Sequence, residues 1–415
     1  MDEELNTYKV YCILKKVVMM SEIIIVGAGP AGSVAAKKLS DLGFNVSLYE
    51  KERLPRHKHC GGLITNRSIR SLNSIGIDCS NVLSQRIFGW RFQFGNDVMD
   101  LEFETSNDNI IGNVYREDFD YFITKSAIES GAKVIDATKV IDIKIPENKK
   151  DNYFILTQKG KEECEIILGS DGMKSIVRRS LAIPYPRNKW AIAIEAEIPV
   201  NKKSIESFDE KNYISINYVQ EGIVWAFPKM RGKTINAGLA VSLEEVRRKG
   251  KSLFDIWKKF LRDQKWYENQ NVPHHVGVIP IKGTVEKLGF EKILLLGDAA
   301  GLVDPLRGEG ISYAIESGIK AAEAVKLHLE GKSLLLPTYN NLMKDDLAEI
   351  NIYGMKLHNE FYVKKKFLMF LKMAKKNEDI RSSMLRLSCG LSSNKQLIEN
   401  FSLGKLLLTY IRSMF

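Results

Sequence analysis

The sequence contains few cysteines, and none of them has a spacing typical of metal ligands. Five cysteines occur among 415 residues, far apart in the chain and without a Cys-x-x-Cys pair. This pattern disfavours a cysteine-ligated zinc or iron–sulfur centre, and it is typical of proteins from a reducing compartment. We therefore expect a cytoplasmic protein without a bound metal. The five are Cys12, Cys60, Cys79, Cys164 and Cys389.

Long apolar runs are also missing. No stretch reaches the roughly 18 residues that a membrane-spanning helix requires, and residues 13–20 are too short and too interrupted for a secretory signal peptide. The composition, 44% hydrophobic and 27% charged, is typical of a globular protein, and the length is sufficient for two domains with an appendage. We expect residues 1–20 to be an N-terminal extension.

Acidic residues are scarce near the end of the sequence. Residues 361–415 contain eleven basic and three acidic residues, whereas the whole chain has a net charge of +10. On a helix, one face would carry Val363, Phe367, Phe370, Leu371 and Ala374, with lysines opposite. Such a helix either packs on the protein with a solvated lysine face or lies on an anionic membrane surface as a peripheral contact. The aromatic residues and lysines do not form a recognisable nucleic-acid-binding module, so we expect no nucleic-acid partner.

Glycine is concentrated in a motif near the start of the chain, which reads Gly27-Ala28-Gly29-Pro30-Ala31-Gly32. It follows an apolar run and precedes a helical pattern, and a second apolar run, 45–49, ends at the acid Glu50. This order is the fingerprint of a dinucleotide-binding site. In such a site Gly27 permits a tight turn, Gly29 lets the backbone approach a pyrophosphate, and Gly32 allows close packing of the helix. Glu50 would accept hydrogen bonds from a ribose.

Hydrophobic periodicity divides the rest of the chain. Strand and helix signals alternate at first, whereas period-2 alternation dominates residues 189–242, which predicts an antiparallel sheet with one covered face. We predict an α/β protein (α+β overall) in which a Rossmann-like domain is interleaved with an antiparallel-sheet domain. The first would comprise residues 21–85, 112–188 and 276–330, the second residues 86–111 and 189–275, and a C-terminal helical region residues 331–415.

Two later motifs extend the dinucleotide site. Gly169-Ser170-Asp171-Gly172 follows one strand, and Gly297-Asp298-Ala299-Ala300-Gly301 follows another, shortly before Gly308-Glu309-Gly310-Ile311. Asp298 would lie at the carboxyl end of a strand, where open α/β sheets bind ligands, and the next helix N-terminus would stabilise negative charge on a flavin. Taken singly, Asp298 is also explained as a helix N-cap and Asp171 as a turn residue.

Together with the proline-containing first turn, these motifs resemble the p-hydroxybenzoate-hydroxylase-type FAD-dependent oxidoreductases over about residues 22–325. The resemblance implies FAD as the resident cofactor. Since no second GxGxxG motif is present, the electron donor would bind transiently, and both NAD(P)H and reduced ferredoxin stay open. The resemblance also places Arg116 beside the cofactor, and a surface ion pair is the alternative explanation for this residue. Besides the first turn, the implied FAD-binding residues are Glu50, Lys51, Cys60, Gly61, Gly62, Arg116, Lys139, Val140, Asp171, Gly172, Gly297, Asp298, Gly308, Gly310 and Ile311.

Two segments narrow the resemblance to the geranylgeranyl reductase family, namely Cys60-Gly61-Gly62 and Trp225-Ala226-Phe227-Pro228. The resemblance implies a prenylated lipid substrate whose carbon–carbon double bonds are saturated by a hydride from reduced flavin and a proton. It places Trp225, Phe227 and Pro228 at the substrate cavity and Cys60 near the reacting atoms, as a candidate catalytic residue. Core packing is the alternative for the aromatic pair, and a buried thiol for Cys60. Members often have an aromatic residue where this chain has Ile223.

Two other activities stay open, a flavin monooxygenase or halogenase of the same fold and a flavoprotein that passes electrons to a membrane quinone. The segment 223–228 departs from the Trp-x-Trp-x-Ile-Pro motif of the halogenases. Quinone-linked relatives usually hold an iron–sulfur cluster, which these cysteines cannot ligate. No two of the six histidines have metal-ligand spacing on one helix, and we expect His57, His59, His274 and His275 to be solvent-exposed.

Overall fold

The computed structural model describes residues 22–94, 97–102, 111–148, 151–201, 203–204, 211–215, 222–229, 233–250, 252–268, 270–362 and 364–400. The predicted extension at residues 1–20 and the end of the basic tail, residues 401–415, lie outside these ranges.

The described strands are β1 (Glu22–Val26), β2 (Asn45–Tyr49), β3 (Leu63–Ile64), β4 (Gln85–Arg86), β5 (Gly89–Phe94), β6 (Asp97–Glu102), β7 (Gly112–Asn113), β8 (Lys133–Ile135), β9 (Val140–Lys144), β10 (Tyr153–Thr157), β11 (Gly160–Cys164), β12 (Ile166–Gly169), β13 (Trp190–Pro199), β14 (Lys211–Ser215), β15 (Gly222–Lys229), β16 (Thr234–Ser242), β17 (His275–Pro280), β18 (Gly289–Phe290) and β19 (Ile293–Leu295).

The described α-helices are α1 (Pro30–Asp41), α2 (Asn66–Asn73), α3 (Arg116–Glu129), α4 (Ile176–Ser180), α5 (Leu243–Lys249), α6 (Leu253–Arg262), α7 (Ile311–Leu329), α8 (Leu335–Leu342), α9 (Lys344–Ala348), α10 (Met355–Phe361), α11 (Lys364–Lys376), α12 (Glu378–Ser388) and α13 (Asn394–Asn400). Short 3₁₀ turns lie at Ser80–Val82, Arg187–Lys189 and Gly297–Ala300, and a π-helical segment lies at Glu349–Gly354.

The first large sheet has six strands in the order β18-β19-β12-β1-β2-β8 and is parallel except for the edge pair β18–β19. Its central strand β1 is buried on both faces, as the apolar run at residues 23–25 predicts. Helices α1 and α7 pack together against this sheet. They meet at Gly318, where an added Cβ would lie 2.4 Å from the carbonyl oxygen of Ala31. The predicted fold class, α/β with a Rossmann-like sheet, is confirmed.

The second large sheet has seven strands in the order β17-β13-β16-β15-β14-β5-β6. Strands β14 and β5 run parallel, so the prediction of a wholly antiparallel sheet is wrong at this pair. Between β5 and β14 the chain contributes strands to both large sheets, and a crossover of that length permits parallel pairing, whereas a short hairpin imposes an antiparallel one. Two smaller sheets, β11-β10-β9 and β3-β7-β4, complete the β-structure of the described residues.

The boundary predicted at residues 275 and 276 also needs a correction. Strand β17 pairs with β13 from Trp190 opposite Pro280 to Glu195 opposite His275. Residues up to Pro280 therefore belong to the seven-stranded sheet and not to the Rossmann-like part. The pattern of the sequence did not indicate this because the first five residues of β17 are exposed or only half-buried and do not alternate clearly.

The basic amphipathic segment forms α11, and its apolar face packs inside the protein. Four side chains of this face are each at most 8% exposed and lie in one cluster with residues of β5, β6 and β15. The prediction that this helix packs on the protein is therefore correct, and the alternative in which its apolar face enters a membrane surface is wrong. The four are Phe367, Phe370, Leu371 and Ala374; Val363 lies outside the described residues.

Among the described residues, no helix combines the length and the apolar character needed to cross a bilayer.

Replacement of Leu371 by alanine tests this packing. Leu371 is fully buried, and removing such a side chain typically costs about 2–5 kcal/mol. We expect L371A to lower the free energy of unfolding by that amount in chemical denaturation. Lys372 is its exposed neighbour, and K372A should stay within about 0.5 kcal/mol of the parent. Equal stability of the two variants would contradict the packed arrangement.

Candidate functional site

The first glycine motif forms a tight turn between β1 and α1, as predicted. Gly27 has φ +103°, and an added Cβ would lie 2.5 Å from the carbonyl oxygen of Ser170. At Gly32 an added Cβ would lie 2.1 Å from the carbonyl oxygen of Gly27, whereas at Gly29 nothing lies within 4 Å. The turn is therefore open at Gly29, which is where a pyrophosphate would approach the N-terminus of α1. Pro30 and Ala31 form the first turn of that helix.

Ser170 fixes this turn from the neighbouring strand, a role that the motif itself did not indicate. Its Oγ lies 2.9 Å from the carbonyl oxygen of Val26 and 2.8 Å from that of Gly27, so the hydroxyl can donate to either. Its backbone N–H donates to Val26 as well, at 2.9 Å. Its position directly after β12 could have indicated this role, because β12 pairs with β1, the strand that leads into the turn.

Glu50 lies at the carboxyl end of β2, where the fingerprint places it, and is 4% exposed. Its Oε2 accepts a hydrogen bond from the backbone N–H of Ala28 at 3.1 Å, so the acid also holds the glycine turn. Arg56 Nη2 donates to Glu50 Oε2 at 3.3 Å and to the carbonyl oxygen of Ala28 at 3.1 Å. Sequence reasoning did not single out Arg56, which brings positive charge to the place where a phosphate would bind.

Arg116 is buried, so it does not belong to a surface ion pair. Its Nε and Nη2 donate to Asp120 Oδ1 and Oδ2 at 2.8 and 2.9 Å, and Arg56 Nη1 donates to Asp120 Oδ2 at 2.9 Å. Burial by itself would raise the pKa of the Asp120 carboxyl, but the two guanidinium groups outweigh it and hold that pKa below its ordinary value.

The backbone of Thr138, next to the predicted residues Lys139 and Val140, lies beside Glu50. The N–H of Thr138 donates to the carbonyl oxygen of Glu50 at 2.9 Å, and β9 begins at the buried Val140. The side chains of Lys51 and Lys139 are exposed. Contacts of Lys51, Lys139 and Val140 with FAD stay predictions.

Asp171 organises the start of α4. Its Oδ2 accepts hydrogen bonds from the backbone N–H groups of Ile176 and Val177 at 2.6 and 3.3 Å, and burial raises its pKa above the ordinary value. The turn explanation for Asp171 therefore applies, and a role in holding the cofactor stays a prediction. Gly172, with φ +75° and open space beside it, completes the turn.

Asp298 lies inside the 3₁₀ turn, whose N-cap is Leu296, and the N-cap of α7 is Gly310, so the N-cap explanation does not apply to Asp298. An added Cβ on Gly310 would lie 3.5 Å from Asp298 Oδ1, which places the start of α7 beside this carboxylate. Lys58 Nζ lies 3.9 Å from Asp298 Oδ2. The other predicted residues of the motif are Gly297 and Gly308, with φ +52° and +66°, and Ile311, the first residue of α7.

The Cys60-Gly61-Gly62 segment contacts the predicted aromatic pair. An added Cβ on Gly61 would lie 2.8 Å from the ring of Phe227 and 3.1 Å from Trp225 Nε1. The two aromatic side chains are 7% and 8% exposed and pack with the cluster beneath α11, so the core-packing explanation also holds for them. Cys60 is half-buried, and Gly62 and Pro228 are buried.

A buried polar network lies beside the aromatic pair, and no motif indicated it. Trp225 Nε1 donates to Asn236 Oδ1 at 2.8 Å, and Asn236 Nδ2 donates to Glu195 Oε2 at 2.6 Å and Glu197 Oε1 at 2.9 Å. Lys229, 1% exposed, forms an ion pair with Glu197. The wall opposite Gly61 is therefore aromatic and polar rather than purely apolar.

The histidines are arranged differently from the prediction. His57 and His59 are exposed, as expected, but they lie together with the half-buried His275. The ligand nitrogens of the three rings are within 4.8 Å of one another. Spacing along a helix could not indicate this group, because two of its members lie on a loop and the third begins β17.

The open cradle at Gly29, the buried acid after β2 and the carboxylate beside α7 fit an FAD molecule, and the FAD-binding domain family matches residues 20–345. The chain belongs to this family. FAD is its cofactor, and it is an FAD-dependent oxidoreductase. The residues that would hold the pyrophosphate and ribose are those of the first turn and Glu50, joined by Arg56.

Related proteins confirm the resemblance to the geranylgeranyl reductase family. Digeranylgeranylglycerophospholipid reductase 1 of Methanosphaera stadtmanae is 29% identical over 323 residues, 74% of this chain and 76% of the relative. Menaquinone reductase of Mycolicibacterium smegmatis is 29% identical over 313 residues, 73% of this chain and 76% of the relative. A geranylgeranyl bacteriochlorophyll reductase-like protein from Thermoplasma acidophilum has the same fold, with a TM-score of 0.77 at 18% identity, over 92% of this chain and 98% of that one.

Alanine at Gly29 and at Gly32 should have different effects. G29A should fold normally, because φ is −83° there and the added methyl group meets no protein atom. It should weaken FAD binding, since overpacking typically costs about 1–3 kcal/mol, roughly 5- to 150-fold in affinity. G32A should lower the melting temperature instead, because its methyl group collides with the backbone. Flavin titration and thermal unfolding of both variants measure this; equal FAD affinity of G29A and the parent would contradict the assigned pyrophosphate position.

Replacement of Asp120 by asparagine should destabilise the protein in a pH-dependent way. Removing one member of a buried ion group typically costs about 3–5 kcal/mol, and D120N should lose that much near pH 7. The folded-state pKa of Asp120 is depressed, so its stabilisation is complete above the unfolded value of about 3.9 and is lost as the pH falls through the folded value.

Chemical denaturation between about pH 7 and pH 3 measures the difference between D120N and the parent, which should shrink at the acidic end. Asp118 is exposed in the first turn of the same helix, and D118N is the matched control. A difference for D120N that stays constant with pH, or that D118N reproduces, would contradict the role of the buried carboxylate.

Proposed function

We propose that this protein reduces carbon–carbon double bonds of geranylgeranyl chains, in precursors of membrane lipids. The relatives named as reductases of a digeranylgeranyl phospholipid support this substrate class. The observation that carries the proposal is the contact of Gly61 with Trp225 and Phe227. In the geranylgeranyl reductase family, the segment that resembles residues 60–62 lies near the flavin, and the segment that resembles residues 225–228 lies at the lipid cavity. The contact would therefore bring the flavin and the lipid cavity together.

The protein would hold the prenyl group of the substrate in a site from which water is excluded. When bound and reduced, FAD supplies a hydride to one alkene carbon. An isolated alkene is weakly polarised, so much of the rate must come from holding it in a dry and well-defined position. Trp225 and Phe227 provide rigid apolar area for that purpose, and the hydrogen bond from Trp225 Nε1 to Asn236 fixes one ring.

Cys60 is our candidate for delivering the proton to the other alkene carbon. Its Sγ accepts a hydrogen bond from the backbone N–H of Gly62 at 3.4 Å. This hydrogen bond would hold the sulfur atom in a defined position during the transfer. Arg116 itself is not a proton donor, because Asp120 raises its pKa in spite of burial.

A second candidate function is action on a quinone, which the relative named menaquinone reductase favours. A menaquinone carries an isoprenoid chain on a quinone ring, so the two candidate substrates share the prenyl group.

The electron donor for either reaction would be NAD(P)H or reduced ferredoxin, bound transiently. A peripheral membrane contact by α11 would use its lysine charges, since its apolar face is buried.

Anaerobic turnover tests the proposal. The FAD-loaded protein, reduced chemically under nitrogen, is incubated with a geranylgeranyl phospholipid or with menaquinone, and the lipids are analysed by mass spectrometry. We expect a gain of two hydrogens per reduced bond in the prenyl chain, together with reoxidation of the flavin. Reduction confined to the quinone ring would favour the second candidate. Product formation only with oxygen, with an oxygen atom added, would contradict both and indicate a monooxygenase.

Replacement of Cys60 by serine tests the proton donor. General acid catalysis typically contributes about 10²–10⁴-fold, and C60S should lose turnover by that order with unchanged flavin content. Cys164, a buried thiol in β11, is the matched control, and C164S should keep its turnover wherever it retains FAD. Full turnover of C60S would remove the catalytic role without touching the substrate assignment.

A further inference from the structure

The three clustered histidines come from segments that meet only in the folded chain. His57 and His59 lie on the loop that leads to Cys60, and His275 is the first residue of β17. The ring centroids are 5.1 Å apart for His57 and His59, 4.5 Å for His57 and His275, and 4.6 Å for His59 and His275. Three imidazoles at this separation are a donor set that divalent transition metals prefer.

A buried carboxylate is aimed into the same group. Glu195 is 2% exposed, and its Oε1 lies 3.6 Å from His57 Nε2 and 3.8 Å from His59 Nδ1. No described residue donates a hydrogen bond to this oxygen. A buried acceptor without a donor normally costs about 1–3 kcal/mol, so its presence beside three imidazoles needs a physical reason.

The neighbouring residues hold this carboxylate in place. Glu195 Oε2 accepts a hydrogen bond from Asn236 Nδ2 at 2.6 Å, and Asn236 is held in turn by Trp225 Nε1 at 2.8 Å. Glu195 also lies opposite His275 in the pairing of β13 with β17. A carboxylate that is hydrogen-bonded through one oxygen, with the other oxygen facing imidazoles, is the usual arrangement around a protein metal ion.

We propose that His57, His59, His275 and Glu195 form a binding site for Zn²⁺. Three nitrogens and one carboxylate oxygen supply four ligands at bond lengths of about 2.0–2.2 Å, the tetrahedral set that zinc takes. In such a set the donor atoms are about 3.4 Å apart, close to the two separations measured for Glu195. The side chains of His57 and His59 are exposed, and zinc binding would require a rotation of these rings to close the remaining distance.

The proposed ion would join the loop before Cys60 to the seven-stranded sheet. Two ligands belong to the loop and two belong to β17 and β13. Zinc bound in this way would restrain the loop that carries Cys60 and Gly61 against Trp225. The ion would have a structural role that is independent of the substrate.

Direct zinc binding tests the proposal. The FAD-loaded full chain, without a histidine tag, is treated with a chelator, dialysed and titrated with ZnCl₂ by calorimetry, and its metal content is measured by mass spectrometry. We expect one zinc ion per chain with a Kd of about 1 μM or lower and a melting temperature raised by a few degrees. H59A and H275A should each weaken binding by about tenfold or more, and E195Q by about tenfold.

His274 provides the matched control. Its ring lies 5.0 Å from that of Phe254 and 5.7 Å from that of Trp257, away from the cluster, so H274A should bind zinc like the parent. Normal flavin content and a normal melting temperature without zinc show that a variant is folded. If an alanine variant does not fold, E195Q still tests the site, because glutamine has nearly the same shape as glutamate. Absence of stoichiometric zinc, or equal binding by H59A, H275A and H274A, would overturn the proposal.

Discussion

An alternating series of buried charges determines where the loop between β2 and β3 lies, and the rest of the site depends on that loop. Glu50, Arg56, Asp120 and Arg116 follow one another in space, each bonded to the next. All four are at most 13% exposed as side chains. Since a buried charge is tolerated only when it is paired, a displacement of Arg56 would remove the ion-pair partner of Glu50 and one of the two partners of Asp120. The loop is therefore held at Arg56, although it has almost no regular structure.

This restraint connects the two large sheets. Glu50 ends a strand of the six-stranded sheet, and Asp120 and Arg116 belong to α3, which packs against α1. Beyond Arg56 the loop passes Asp298 and reaches Trp225 in the seven-stranded sheet, with Lys58 and Gly61 as the residues in contact. A side chain at position 61 would push the loop away from the aromatic pair. Gly61 permits the contact between this loop and the seven-stranded sheet, whereas Gly27 and Gly32 permit the tight turn and its close approach to α1.

The sequence was sufficient to predict the parts of the site that are formed by residues close together along the chain. The turn at Gly27, the acid at Glu50 and the strand ends around residues 169 and 297 follow from local geometry, and motifs describe local geometry well. Arg56 and Ser170 could not be assigned in this way, because their partners lie in other strands and helices and their residue types are common in loops. The parallel pairing of β14 with β5 and the burial of α11 are likewise decided by distant parts of the chain. In α11 a sequence pattern identified the apolar face correctly but could not identify what covers it.

The polar wall beside Trp225 follows from the packing of a single ring. Gly238 lies opposite Trp225 in the pairing of β15 with β16, and an added Cβ there would lie 2.1 Å from the indole, so the ring lies directly over the glycine. In this position its N–H is buried and requires an acceptor, which Asn236 supplies. The amide group of Asn236 then requires acceptors of its own, and the two carboxylates that it contacts are the reason that a polar network occurs on an otherwise aromatic face. One of them, Glu195, is left with an oxygen directed at three imidazoles. The packing of Trp225 therefore explains, through Asn236, why the acid Glu195 lies beside the three histidines of the proposed metal site.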